Sequence, residues 1–383
     1  MAVEMCKLSM WLVSLDRELP FSFVDDKIFL GNSLLGLTSL NQLRKLHIDP
    51  SRVPTGDMFE IFDVDTDAII RKAAELRRDL ATEIKELDPA RNSAAKQRQL
   101  AELHRVTNDL RTIADAVIAA GLALGGKPGR ALDEAYENLR VAVKAAYPET
   151  GEPDRKHLDS IIEHGLTPAV PTDYRRWRPL HWVIEAPDVV AERGGFDAII
   201  GNPPFLGGKK LSPAMGSDVR EWFVNVIAQG KTGHADLVAY FFLRAQALMA
   251  AGGQLGLIAT NSIAQGDTRE VALDRMVRDG FSITRAIKSR PWPAATANLE
   301  YAAVWGGFGG INPDIPRICD GNPAALITSL LEPSGRVEGQ PRRLDENKGI
   351  GFIGCYVLGL GFVVEPEVAK VWIQEDRRNS KVL

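Results

Sequence analysis

Apolar positions Met5, Leu8, Leu12 and Leu15 recur at helical spacing with no capping residue ahead of them, so the pattern predicts a helix already under way at the start and ended by Pro20. Residues 27–30 read as a short strand entering the turn Gly31-Asn32-Ser33. From about Asp65 to Pro148 the pattern is helical throughout. A first helix carries Ile69, Ala73, Leu76, Leu80 and Leu87 up to the break Asp88-Pro89. A second carries Leu103, Val106, Leu110, Ile113, Val117, Ala120 and Leu124 up to Gly125-Gly126, and a third carries Leu132, Ala135, Leu139, Val143 and Ala146. Short breaks between long helices imply antiparallel neighbours. The expectation is a helical hairpin or three-helix insertion, a scaffold arm projecting from a globular body.

After Arg193 the period changes to alternating strand and helix. Residues 196–200 form a short apolar run of the kind buried on both faces of a parallel sheet. A helix capped by Ser217 or Asp218 follows, with Val219, Trp222, Phe223, Val226 and Ile227 on one face. The next has Val238, Phe241, Phe242, Ala245, Leu248 and Met249 inward and is ended by Gly252-Gly253. Residues 255–259 are another strand, Asp267 and Glu270 pattern as a capping box, and residues 281–287 and 299–305 are two further strands. Such alternation predicts an α/β fold with a doubly wound sheet. Beyond about Gly310 regularity is lost, apart from an apolar stretch at 356–364.

Composition narrows the classes open to the chain. Of 383 residues, 45% are hydrophobic, enough for a packed core. With 46 basic and 50 acidic residues the net charge is −4, which excludes a broadly basic nucleic-acid coat and leaves DNA contact to a local patch or a partner. Cys6, Cys319 and Cys355 form no CxxC pair and fit a reducing compartment. No apolar run reaches the roughly 18 residues of a membrane span, and no signal-peptide pattern opens the chain, so a cytoplasmic protein is expected. Neither a metal-ligand spacing nor a nucleophile–base pair is visible.

The chemistry-bearing string is Gly201-Asn202-Pro203-Pro204-Phe205, directly after the strand at 196–200. Ligands in open α/β sheets sit beyond the carboxyl ends of strands, which is where this string falls. Consecutive prolines lack N–H groups and have a fixed φ, so they present backbone carbonyls as rigid acceptors without competing donors. With the Asn202 side-chain oxygen, two acceptors can converge on one exocyclic amino group. An aromatic amine such as adenine N6 is a poor nucleophile because its lone pair is delocalised into the ring. Hydrogen bonds from its protons to Asn202 Oδ1 and the Pro203 carbonyl would draw the nitrogen towards tetrahedral geometry. Pro204 would stiffen the loop, and Phe205 could stack on the extruded base. The plainer alternative is a turn after a strand, since Asn-Pro commonly starts turns.

This string resembles the catalytic motif of adenine-N6-specific, class I S-adenosylmethionine-dependent DNA methyltransferases. Its approach, Pro179-Leu180-His181-Trp182, Glu185-Ala186-Pro187 and Gly194-Gly195-Phe196-Asp197, is similar to that of the large enzymes of restriction-modification and related phage-defence systems. Residues 253–262 and Trp292-Pro293 with Ala297-Asn298 follow the same family's pattern. The resemblance implies a Rossmann-like methyltransferase sheet, incomplete at its N-terminus and interrupted by the helical insertion. The implied division is 1–62 as the first part of the methyltransferase domain, 63–150 as the insertion, 151–310 as the catalytic part, and 311–383 as a linker toward a target-recognition domain. It implies S-adenosylmethionine as cofactor, with Gly31, Asn32 and Ser33 similar to the family's adenine-recognition turn, where an aspartate is usual. The family's glycine-rich loop and ribose-binding acid are not visible. The resemblance implies as partner a double-stranded DNA with a flipped adenine; a separate polypeptide supplying the glycine loop or target recognition is a further option. Other readings are an inactive or split fragment, a methyltransferase acting on a protein glutamine amide, and a non-enzymatic helical interaction module.

Other clusters are less specific. Gly306 to Gly310 reads as a flexible exit turn. Gly207-Gly208-Lys209-Lys210 reads equally as a mobile lid touching phosphate or a solvated loop. Tyr174-Arg175-Arg176-Trp177-Arg178 mixes cations and aromatics, with Trp177 read as packed. His234 and Asp236 read as capping or surface residues at a helix head.

Overall fold

The computed structural model describes residues 2–14, 24–53, 65–81, 89–293, 300–309, 316–333 and 366–381. Expectations for Leu15, Pro20, Leu87, Asp88, Ala297, Asn298, Leu299, Gly310, Cys355 and residues 356–364 lie outside the described residues. Two units divide the chain, Met1–Val337 and Glu338–Leu383.

Helices fill the first half: α1 (Ala2–Ser14), α2 (Leu40–Arg44), α3 (Thr66–Ala81), α4 (Pro89–Leu122), α5 (Arg130–Ala146) and α6 (Lys156–Leu166), then the short α7 (Trp182–Glu185) and α8 (Pro187–Val190). The apolar spacing predicts α1, α3, α4 and α5, while α2, α6, α7 and α8 fall outside that expectation. Gly125 and Gly126 close α4 at φ +59° and +61°, a conformation that favours glycine. These helices do not project as an arm. Leu110, Ile113 and Val117 of α4 and Tyr136 of α5 share one core with Trp222, Phe223 and Phe242. Ala73, Leu76, Leu80 and Leu103 form a separate small cluster. The reason is close helix packing: a Cβ on Gly165 of α6 would stand 2.2 Å from the Ala119 carbonyl, so the two backbones touch.

The second half alternates: β1 (Phe196–Gly201), α9 (Leu211–Met215), α10 (Ser217–Trp222) running into a π-turn at Phe223–Ile227, α11 (Leu237–Leu248), β2 (Met249–Ala259), α12 (Gly266–Val271), α13 (Leu273–Arg278), β3 (Ser282–Pro291), β4 (Glu300–Gly307), β5 (Arg317–Cys319) and β6 (Asn322–Ala324). One six-stranded sheet results, in the order β1-β2-β4-β3-β5-β6. β1 and β2 are parallel, whereas β4 runs antiparallel to β2 and β3. The fold is therefore α/β with a mixed sheet. The second unit contains α14 (Pro366–Glu375). No helix among the described residues is long and apolar enough to cross a membrane.

Several expectations are corrected. β1 is not buried on both faces, since Ile200 is 85% exposed, and among the described residues it stands at the edge of the sheet with β2 as its neighbour. Residues 27–30 form no strand; the nearest pairing is a single bridge between Asn32 and Pro179. Gly252-Gly253 lies within β2, since the chain leaves α11 straight into the strand at Met249. Neither Ser217 nor Asp218 caps α10, whose N-cap is Gly216. Asp267 instead accepts the His234 amide at 2.6 Å and Glu270 pairs with Lys231, so the capping box does not form.

Candidate active site

The tip of β1 is held by its register on β2, Ile199 opposite Leu255 and Gly201 opposite Leu257. Beyond it the chain turns at Asn202 into a cavity of about 480 Å³. Gly201, Asn202, Pro203 and Pro204 line this cavity together with Ser33, Trp182, Phe241 and Arg244. Asn202 and Pro204 are exposed and Pro203 is buried. Phe205, half-buried, is not among the lining residues. The walls are mostly apolar, as in sites that bury a planar organic group around a few polar atoms. Trp182 is set in place edge-on to Phe196 (centroids 5.4 Å apart) and to Phe29 (6.3 Å).

Two motifs far apart in sequence meet at one side of the site. The Asn32 amide donates to the Arg178 carbonyl at 2.6 Å, and the Leu180 amide returns a bond to the Asn32 carbonyl at 3.1 Å. Gly36 lies flush on the same segment, where a Cβ would fall 1.5 Å from the Leu180 carbonyl. Asn32 Oδ1 accepts from the Leu34 amide at 3.0 Å, which makes this segment a rigid Asx turn. Of the three residues expected to hold the cofactor, Ser33 lines the cavity, while Gly31 packs against Leu180 and Asn32 serves the turn. His181 is a brace. Its Nδ1 accepts from the Leu37 amide at 3.3 Å, so Nε2 carries the proton donated to Asp115, which also pairs with Arg176.

Behind the Asn-Pro-Pro turn, Asp236 at the head of α11 ties the following loop down. Its carboxylate accepts from the Gly208 amide at 2.9 Å and from the Ser262 hydroxyl at 2.5 Å. Leu237 adds a backbone bond to Leu206 at 2.9 Å. Gly208 is buried, and a Cβ there would meet the His234 carbonyl at 2.1 Å. The glycine-lysine loop is thus fastened at its glycine end, with Lys209 and Lys210 exposed. Sequence reasoning took Asp236 for a cap; the only signal of its role was an acid one residue ahead of a helix. Trp177 is buried, as read, and Tyr174 is exposed beside it. No group of three His, Cys, Asp or Glu among the described residues could hold a metal ion.

Fold and site together define an α/β domain with an Asn-Pro-Pro turn lining a cavity beyond the end of a parallel strand. The Eco57I restriction-modification methylase family matches residues 1–279, and the chain belongs to that family. It is 25% identical over 138 residues to DNA methyltransferase A of Bacillus subtilis, covering 35% of this chain and 15% of the relative. With a putative type II restriction enzyme and methyltransferase of Methanocaldococcus jannaschii it shares 26% identity over 274 residues, covering 69% of this chain and 21% of that protein. The chain therefore spans about a fifth or less of the length of these curated relatives. Among solved structures it is similar to the Type IIL restriction-modification enzyme MmeI in complex with DNA, at 16% identity and a TM-score of 0.37, over 72% of this chain and 43% of the other.

Proposed function

We propose that this chain is the amine-activating part of a DNA methyltransferase that methylates adenine N6 in double-stranded DNA, within a restriction-modification or related defence system. Membership of a restriction-modification methylase family and the methyltransferase relatives support DNA methylation. The observation that carries the finer reading is the cavity at the tip of β1, where Asn202, Pro203 and Pro204 face an apolar space able to take a nucleobase. Asn202 Oδ1 and the Pro203 carbonyl would accept the two amino protons, Pro204 would hold the turn, and Phe205, next to the lining residues in sequence, would stack on the base. These residues bind and polarise the amine, and no covalent enzyme intermediate is required.

S-adenosylmethionine, when bound, would supply an electrophilic methyl group. The residues present fit such a group in two respects: Ser33, within the Asx turn, borders the same cavity as Asn202, and an incompletely bonded guanidinium, Arg244, opens onto it. The open outer edge of β1 favours a second reading, in which a separate polypeptide completes the site and tightens cofactor binding.

Incubation with methyl-labelled S-adenosylmethionine and unmethylated duplex DNA, followed by nucleoside analysis, tests the proposal. Label is expected in N6-methyladenine. Asn202→Ala should lower the rate roughly 100-fold or more, the usual effect of losing a transition-state hydrogen bond, with the unfolding midpoint unchanged. Label on a protein glutamine instead of DNA, or an unaffected Asn202→Ala variant, would overturn it.

A further inference from the structure

Arg244 lies on α11, one turn from Phe241 and Leu248, and only 8% of its surface is exposed. Its Nη2 donates to the Leu34 carbonyl at 2.7 Å, and its Nε has no partner. Among the described residues no carboxylate pairs with it. Burial alone pulls its pKa down to about 10, so it stays charged at neutral pH. A buried cation without a counter-ion is costly, and such a charge is normally kept where something anionic meets it.

Two cavities adjoin this guanidinium. The larger, about 950 Å³, carries its own acids, Asp49 and Asp279, along with Arg52 and Arg275. In the cavity at the tip of β1, Arg244 is the only charged residue among the described residues that line it, and Asn202 and Ser33 share that lining. An anion is therefore drawn to the Asn202 side, where no acid among the described residues opposes it.

We infer that Arg244 is the anion anchor of the site and pairs with the carboxylate of the amino-acid end of S-adenosylmethionine. The inference rests on the proposed cofactor and adds the residue that orients it. Pairing there would fix the far end of the donor while the Leu34 carbonyl keeps the guanidinium in place. Arg244 would thus be a positioning residue for the methyl group, remote from the amine acceptors.

Binding, read by isothermal titration up to millimolar ligand, tests this without turnover. The probes are S-adenosylhomocysteine, which keeps the carboxylate, and 5′-methylthioadenosine, which lacks the whole amino-acid end. Wild-type chain should prefer S-adenosylhomocysteine by roughly tenfold or more, the usual scale for a charge-assisted pair. Arg244→Met should lose that preference while its affinity for methylthioadenosine holds, and Arg244→Lys should recover part of it. Equal binding of the two probes to wild-type chain, or an undiminished preference in Arg244→Met, overturns the anchor and leaves the cofactor reading standing. Binding of neither probe overturns both. If Arg244→Met fails to fold, the Lys variant and the wild-type preference decide the matter.

Discussion

Replacing Asp236 by alanine removes the carboxylate that accepts from the Gly208 amide at 2.9 Å and the Ser262 hydroxyl at 2.5 Å. A hydrogen bond to a charged group contributes about 1.5–3 kcal/mol. Asp236 is half-buried, so water recovers part of this, and about 2–3 kcal/mol is expected for the pair together. The damage should stay local, because the Leu237 amide still holds the Leu206 carbonyl. Amide hydrogen exchange on labelled protein reads it directly. At about 1.4 kcal/mol per factor of ten, protection of the Gly208 amide should fall about 30- to 150-fold, while amides of β1 and β2 keep theirs. Asp236→Asn retains an acceptor at Oδ1 and should lose less, about tenfold. Unchanged exchange at Gly208 in the alanine variant would refute the claim that this carboxylate positions the loop behind the Asn-Pro-Pro turn. Equal losses along β1 and β2 would show that it supports the sheet instead.

Ile200→Thr should cost less than about 0.5 kcal/mol, because Ile200 is 85% exposed, whereas Leu255→Ala, at a position 2% exposed, should cost about 2–5 kcal/mol. Urea denaturation of both compares them, and comparable losses would contradict the edge position of β1. Burial lowers the pKa of His47, whose Nδ1 accepts from the Asp49 amide while Nε2 makes no hydrogen bond and has the Asp133 carboxylate 3.9 Å away, where it opposes the shift without cancelling it. The unfolded chain protonates near 6.5, so stability from this neutral ring is present above that pH and lost as pH falls below it, by up to about 1.36 kcal/mol per unit. Urea midpoints should decline between about pH 7 and 5, less steeply in His47→Gln; identical slopes would count against it.

Much was legible in the chain alone. Helical spacing of Leu110, Ile113 and Val117 placed α4, glycines at 125–126 placed its end, and the apolar run at 196–200 placed Asn202 at the carboxyl end of a strand. Local propensity and periodicity act over a turn or two, so they survive without tertiary knowledge. The same reach explains the misses. An apolar run at 196–200 looks buried whether or not a second neighbour pairs with it, and only the sheet order reveals the bare edge. Asp267 and Glu270 have the spacing of a capping box, yet partners in another segment, His234 and Lys231, claim both.

What the sequence by itself determined is the long helices α4 and α5, the strand–helix alternation after residue 196 and the covalent Asn-Pro-Pro string at 202–204, because those depend on near neighbours and on proline's fixed geometry. Tertiary structure alone decided that Asn32 bridges Pro179, that Asp236 fastens Gly208, and that Arg244 shares a cavity lining with Asn202. Each of these joins residues brought together only by packing, where distance and exclusion of water set the energy and spacing along the chain carries no information about either.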